Sequence, residues 1–111
     1  MKILVVEPGK HPYTQKISGD LASMQAVVGG LIQAVYPFEE QVALICNEEG
    51  KLLSLQPNRV LRDDKGRVYD VICGTFFLCT CPAGSDSFEG LNAEQLERYA
   101  QYFYLIEFFI G

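Results

Sequence analysis

Gln41-Val42-Ala43-Leu44-Ile45-Cys46, then Asn47-Glu48-Glu49-Gly50, then Lys51-Leu52-Leu53-Ser54-Leu55 is the stretch on which the fold turns. An apolar run, a polar turn ending in glycine and a second apolar run read as a β-hairpin. Gly50 supplies a turn position where positive φ costs nothing. Strands joined by so short a turn pair antiparallel, which sets the kind of sheet.

Outward from that hairpin, the other segments fit the same sheet. Residues 2–7 are an apolar strand closed by Pro8-Gly9, and Tyr13 to Ser18 alternates as its returning partner. Asp20 is placed to cap a helix whose stripe is Leu21, Met24, Val27 and Val28, and Gly29-Gly30 ends it. Leu31 to Tyr36 is a strand stopped by Pro37. Pro57-Asn58-Arg59 opens a loop that runs through Asp63-Asp64-Lys65-Gly66. Val68 to Leu78 is a strand pair, or one strand bent near Cys73-Gly74. After a loop from Pro82 to Gly90, Asn92 and Gln95 form a capping box for a last helix with the stripe Leu96, Tyr99, Ala100 and Phe103. The order predicts an α+β fold: a mainly antiparallel sheet of about five or six strands covered by two helices.

At 111 residues the chain is expected to be a single domain spanning 1–111. Asp and Glu number 14 against 9 Lys and Arg, giving a net charge of −5, which argues against binding long nucleic acid. The run from Met1 to Val6 is stopped by Glu7-Pro8-Gly9, short of the roughly 7–15 residues of a signal core. No stretch approaches the ~20 apolar residues of a membrane span. A soluble protein of the host-cell cytosol, with no membrane partner, is the expectation.

Catalytic equipment is sparse. His11 is the single histidine, so any Ser–His or Cys–His engine would have to use it. Glu39-Glu40, Glu48-Glu49 and Asp63-Asp64 are adjacent in turns and read as solvated charge. Cys46, Cys73, Cys79 and Cys81 read as free thiols. Cys79-Thr80-Cys81 has the wrong spacing for zinc, and a redox pair there is the weaker alternative. Gly29-Gly30 matches no phosphate-loop pattern. The expectation is no enzyme, no metal and no cofactor.

Binding chemistry is better represented. Arg59, Arg62, Lys65 and Arg67 fall within nine residues, a basic loop on an acidic chain. Arg59 and Arg62 are the candidates to hold an anionic group, with Asn58 and Thr75 as polar contacts and Tyr36 or Phe38 to stack on a base. The competing reading pairs these arginines with Asp63, Asp64 and Asp70. From Tyr102 to Ile110 nearly every residue is apolar, more than one helix face can bury. Tyr102, Leu105, Phe108 and Phe109 are therefore expected at a homo-oligomer interface, or against a partner, unless the tail folds back over the sheet.

Val6-Glu7-Pro8-Gly9-Lys10, Val28-Gly29-Gly30, Val35-Tyr36-Pro37-Phe38-Glu39, the run Val42 to Lys51, Asn58-Arg59, Tyr69-Asp70-Val71-Ile72 and Gly74-Thr75-Phe76-Phe77 carry a family likeness. Over about residues 3–103 the chain resembles a small domain of unknown function found on phages and conjugative elements of Gram-positive bacteria. The tail 104–111 lies beyond that pattern. The resemblance implies a mobile-element origin and brings no catalytic residues. By analogy, the expected function is counter-defence: a non-enzymatic protein that binds and sequesters a small nucleotide-derived immune signal. The alternative is an interaction module that inhibits or recruits a host factor through its aromatic C-terminal segment.

Overall fold

Lys2–Val6 alternates between two covered faces, and that alternation lays out the molecule. The computed structural model describes residues 1–110. In chain order its elements are β1 (Lys2–Val6), β2 (Tyr13–Lys16), α1 (Leu21–Val28), β3 (Ile32–Val35), β4 (Val42–Asn47), β5 (Pro57–Arg62), β6 (Val68–Cys73), β7 (Phe76–Thr80) and α2 (Ala93–Tyr102). A five-stranded antiparallel sheet has the order β2-β1-β7-β4-β3, and β5-β6 form a separate two-stranded sheet. The fold is α+β, as the sequence predicts, with the small second sheet added. Among the described residues, no helix is long and apolar enough to cross a membrane.

The central strands of the main sheet, β1, β7 and β4, are buried on both sides, while the edge strand β2 is exposed. Ile3, Val5, Ala43, Ile45, Phe77 and Cys79 face α1 through Met24 and Val28. Leu4, Val6, Val42, Leu44, Phe76 and Leu78 face the other way, toward Tyr99 and Phe103 near α2 and Leu61 and Ile72 of the small sheet. That is why β4 reads as a continuous apolar run: neither face meets water.

Local chemistry ends the helices where expected. The Asp20 carboxylate accepts the Ser23 N–H at 2.8 Å, and Gly29 closes α1 at φ 77°, in the left-handed region. Asn92 and Gln95 make both bonds of the capping box on α2. Leu21, expected in the buried stripe of α1, is exposed; Met24 and Val28 carry the burial.

Three expectations are corrected. Lys51–Leu55 is not the returning strand of a hairpin. β4 is already paired on one side with β3 and on the other with β7, so no edge remains for it. The segment coils instead, with Leu53 N–H donating to Glu49 O and Leu55 N–H to Gly50 O. Gly50 does not adopt positive φ; its role is proximity, since a Cβ there would lie 2.6 Å from the Cys73 carbonyl oxygen. The loop expected from Pro57 is β5, paired with β6 from Pro57↔Cys73 to Arg62↔Val68. The last helix, α2, ends at Tyr102 with Phe103 as its cap, and residues 104–110 carry no regular structure. The Val68–Leu78 segment is a strand pair, but its halves join different sheets, separated at Gly74.

Candidate functional site

Three segments distant in sequence meet in one groove of about 910 Å³: the β3–β4 connection (36–40), the β5–β6 turn region (62–69) and the outer side of α2 (98–102). Tyr36, Phe38 and Arg62, three of the sequence candidates, line it together with Tyr69, Arg98 and Tyr102. Phe38 is half-buried, its ring 4.8 Å from that of Tyr99 and 5.3 Å, edge-on, from that of Tyr102. Tyr36 and Tyr69 stand in solvent on the rim, exposed by 58% and 57%.

The polar side of the groove is organised around Glu40. Arg98 Nη2 donates to both Glu40 oxygens at 3.0 and 2.9 Å, and the Tyr99 hydroxyl donates to Oε1 at 2.8 Å. The Arg98 bonds, and then the Tyr99 bond, hold the Glu40 carboxyl below its usual range. Burial, and then the same carboxylate, push the Tyr99 hydroxyl up. Arg98 also lies over the Tyr99 ring, 5.1 Å from its centroid. Arg62 is exposed, its Nη1 donating to Gly66 O at 3.1 Å. Arg67 and Asp63 pair at 3.1 Å, which neutralises part of the basic loop as the competing reading expected, whereas Asp70 is taken by Lys51 from outside that loop.

Arg59 and Asn58 are elsewhere, and the expectation that they contact a ligand is corrected. Arg59 is 1% exposed and spends its donors inside the protein. Nε and Nη2 donate to Phe103 O at 3.3 and 3.1 Å, Nη2 to Lys10 O at 2.8 Å, and Nη1 to Asn58 O and Oδ1 at 3.2 and 2.8 Å. A guanidinium has five N–H groups, so none is left for an anion. Burial pulls this guanidinium down, and nearby Glu107 opposes that. Asn58 Nδ2 donates to Val6 O and Gly74 O, bonding the small sheet to the large one. Arg59 also brings positive charge to the carbonyl of Phe103, the cap residue of α2, which suits a helix C-terminus.

Thr75 lines a different cleft of about 420 Å³, with Tyr13, Glu7 and Ser23. Burial, and then a hydrogen bond to Glu7, push the Tyr13 hydroxyl up to about 12. The four cysteines are free. Burial pushes the Cys79 thiol up to about 12, far from a reactive thiolate. Among the described residues, no group of three or more His, Cys, Asp and Glu is placed to hold a metal ion.

The tail is anchored but mostly uncovered. The His11 ring stacks on Tyr104 with centroids 4.1 Å apart, and its Nδ1 lies 2.7 Å from the Tyr104 carbonyl oxygen. Glu107 Oε2 accepts the Val60 N–H at 3.2 Å. Among the expected interface residues, Tyr102, Leu105, Phe108 and Phe109 are all exposed. Sequence reasoning missed Tyr69 and Arg98 as groove residues, because each looks like an ordinary surface residue of its own element. It also missed that His11 fastens the tail.

No curated protein and no solved structure matches the chain. A family match covers residues 1–104, which takes in the groove, the Arg59 bonds and the stacked His11–Tyr104 pair while leaving Leu105 onward outside. The chain therefore belongs to the family described as Domain of unknown function (DUF3846).

Proposed function

We propose that the protein is a non-catalytic binding domain whose groove takes a small planar ligand of nucleobase type carrying little negative charge. In the setting of a mobile element, this is sequestration of a nucleotide-derived immune signal in the host cytosol. The observation that carries the reading is the convergence of Tyr36, Phe38 and Arg62 on one groove with Tyr69, Arg98 and Tyr102. Rings offer stacking surface, worth about 1–3 kcal/mol per base in single-strand binders. The groove volume, about 910 Å³, lies within the roughly 300–1,000 Å³ of small-molecule sites.

Charge narrows the ligand class. Glu39, Glu40, Asp63 and Asp64 share the groove with Arg62 and Arg98. Arg98 offsets Glu40 and Arg67 offsets Asp63, which leaves the charges of Arg62, Glu39 and Asp64 without an ion-pair partner among the described residues. A polyphosphate is repelled by that balance. A nucleoside, or a nucleotide with a single phosphodiester charge, is accommodated with Arg62 as its anion partner.

The test is thermal unfolding with a panel of nucleosides, cyclic nucleotides and linear nucleotides. Binding at 100 Kd of free ligand adds about 2.7 kcal/mol of apparent stability. A cyclic or singly charged member should raise Tm in the wild type and lose that effect in Tyr36→Ala and Arg62→Ala. No shift with any member overturns the reading.

A further inference from the structure

We propose that the tail 104–110 is a self-association face, through which two copies dock reciprocally about a two-fold axis. Tyr102, Tyr104, Leu105, Phe108, Phe109 and Ile110 are exposed by 56, 55, 78, 87, 41 and 102%. With roughly 150–250 Å² for each large side chain, the uncovered area is on the order of 700 Å². Summed over these six side chains, that approaches the ~800 Å² per partner of a standard interface.

The face is built to be presented. His11 stacks on Tyr104, Glu107 accepts the Val60 N–H and Arg59 holds the Phe103 carbonyl, so the root of the tail is fixed while its rings stay uncovered. Ordering cost is thus met before association rather than during it. Beside the exposed rings lies a cleft of about 310 Å³, in which Val60, Tyr102, Phe103 and Leu105 supply apolar surface and Arg59, Arg62 and Glu107 the polar edge. By size the cleft has room for an aromatic ring, since a cavity of about 150 Å³ already holds benzene, and Val60, Phe103 and Leu105 give that ring an apolar wall to pack on. A projecting ring such as Phe108 and a cleft on the same surface are what a two-fold interface needs, because each copy then supplies the knob for the other's hole.

A second copy suits the chemistry better than a different protein. The tail carries one charge, Glu107, and that carboxylate is already engaged. Homodimer interfaces are the more apolar class, and two chains of net charge −5 approach most easily through a face with few charges, where Glu107 of the tail lies beside Arg59 and Arg62 of the cleft. Arg62 and Tyr102 line both the cleft and the groove, so the docked copy would wall one end of the groove. That last consequence rests on the ligand reading; dimerisation does not.

The experiment is light scattering with size exclusion, on the full chain without ligand, over a wide range of protein concentration. The wild type should give twice the chain mass, and Phe108→Asp the mass of one chain at the same concentrations. That shift corresponds to at least a tenfold weakening of association. Phe108 is 87% exposed, so the variant keeps its fold, checked by far-ultraviolet dichroism. Wild type that stays at one chain mass overturns the proposal and leaves the tail to a host factor. A Phe108→Asp protein that remains dimeric overturns the assignment of the face. The nucleotide panel is read separately, so failure of either proposal is recognisable by itself.

Discussion

Arg59 shows how differently one residue type behaves by position. Four arginines and lysines crowd residues 59–67, yet Arg62 faces the groove, Arg67 pairs with Asp63, and Arg59 fastens backbone carbonyls from three segments. Truncating it leaves the Phe103 and Lys10 carbonyls without their buried partner, and unmade buried bonds cost about 1–3 kcal/mol each. Arg59→Ala should therefore lower stability by about 3 kcal/mol or more, seen as a lower urea midpoint with an unchanged slope. Arg59→Lys should recover little, because an ammonium has three donors and no planar fork. Glu40 gives a pH prediction at the same scale. Its carboxyl is held below the ordinary value of 4.5 by Arg98 and Tyr99. A depressed carboxyl contributes stability above its unfolded value, and that contribution disappears as pH falls through the folded value. Acid unfolding curves of Glu40→Gln should accordingly fall less steeply below about pH 4.5 than those of the wild type. The residue is partly exposed, so salt should shrink the difference.

Elements differed in how much of themselves the sequence carried. The cap residues are local signals, and Asp20, Gly29 and Asn92 sit where short-range chemistry puts them. Asn92→Ala should cost about 1 kcal/mol, measurable as a lower thermal midpoint with α2 still formed. Strand pairing is not local. Lys51–Leu55 looks like a strand in isolation, but whether it pairs depends on β3 and β7 having taken both edges of β4. Pro57–Arg62 looks like a loop because of its proline and charges, and becomes β5 only because Val68–Cys73 is there to pair with it. Gly50 was legible as a required glycine, though for another reason: Gly50→Ala would drive a methyl into the Cys73 carbonyl, 2.6 Å from the new Cβ. Backbone cannot yield as a flexible side chain does, and the expected loss is about 1–3 kcal/mol by chemical denaturation.

At the scale of the whole molecule, the sheet is a wall, with α1 on one side and α2 plus the small sheet on the other. Apolar strands following one another through short turns, with two capped helices and no sustained βαβ order, made that wall readable as α+β from the sequence. The groove was half readable. Tyr36 and Phe38 stand out beside Pro37 as rings at the end of a strand, and Arg62 belongs to an obvious basic run. Their meeting with Tyr69 and Arg98 depends on how the small sheet folds against α2, which no spacing in the chain encodes. The same packing buried Arg59 and Asn58, so the phosphate grip read from composition contracts to Arg62, and the ligand class contracts with it. The central claim is a groove that binds a planar, weakly charged ligand, and isothermal titration of the nucleoside and nucleotide panel into wild type, Tyr36→Ala and Arg62→Ala tests it most directly. The account predicts saturable one-per-chain heat for a singly charged or uncharged member, weakened at least tenfold by each substitution. Absence of heat from every member, or binding untouched by both substitutions, contradicts it.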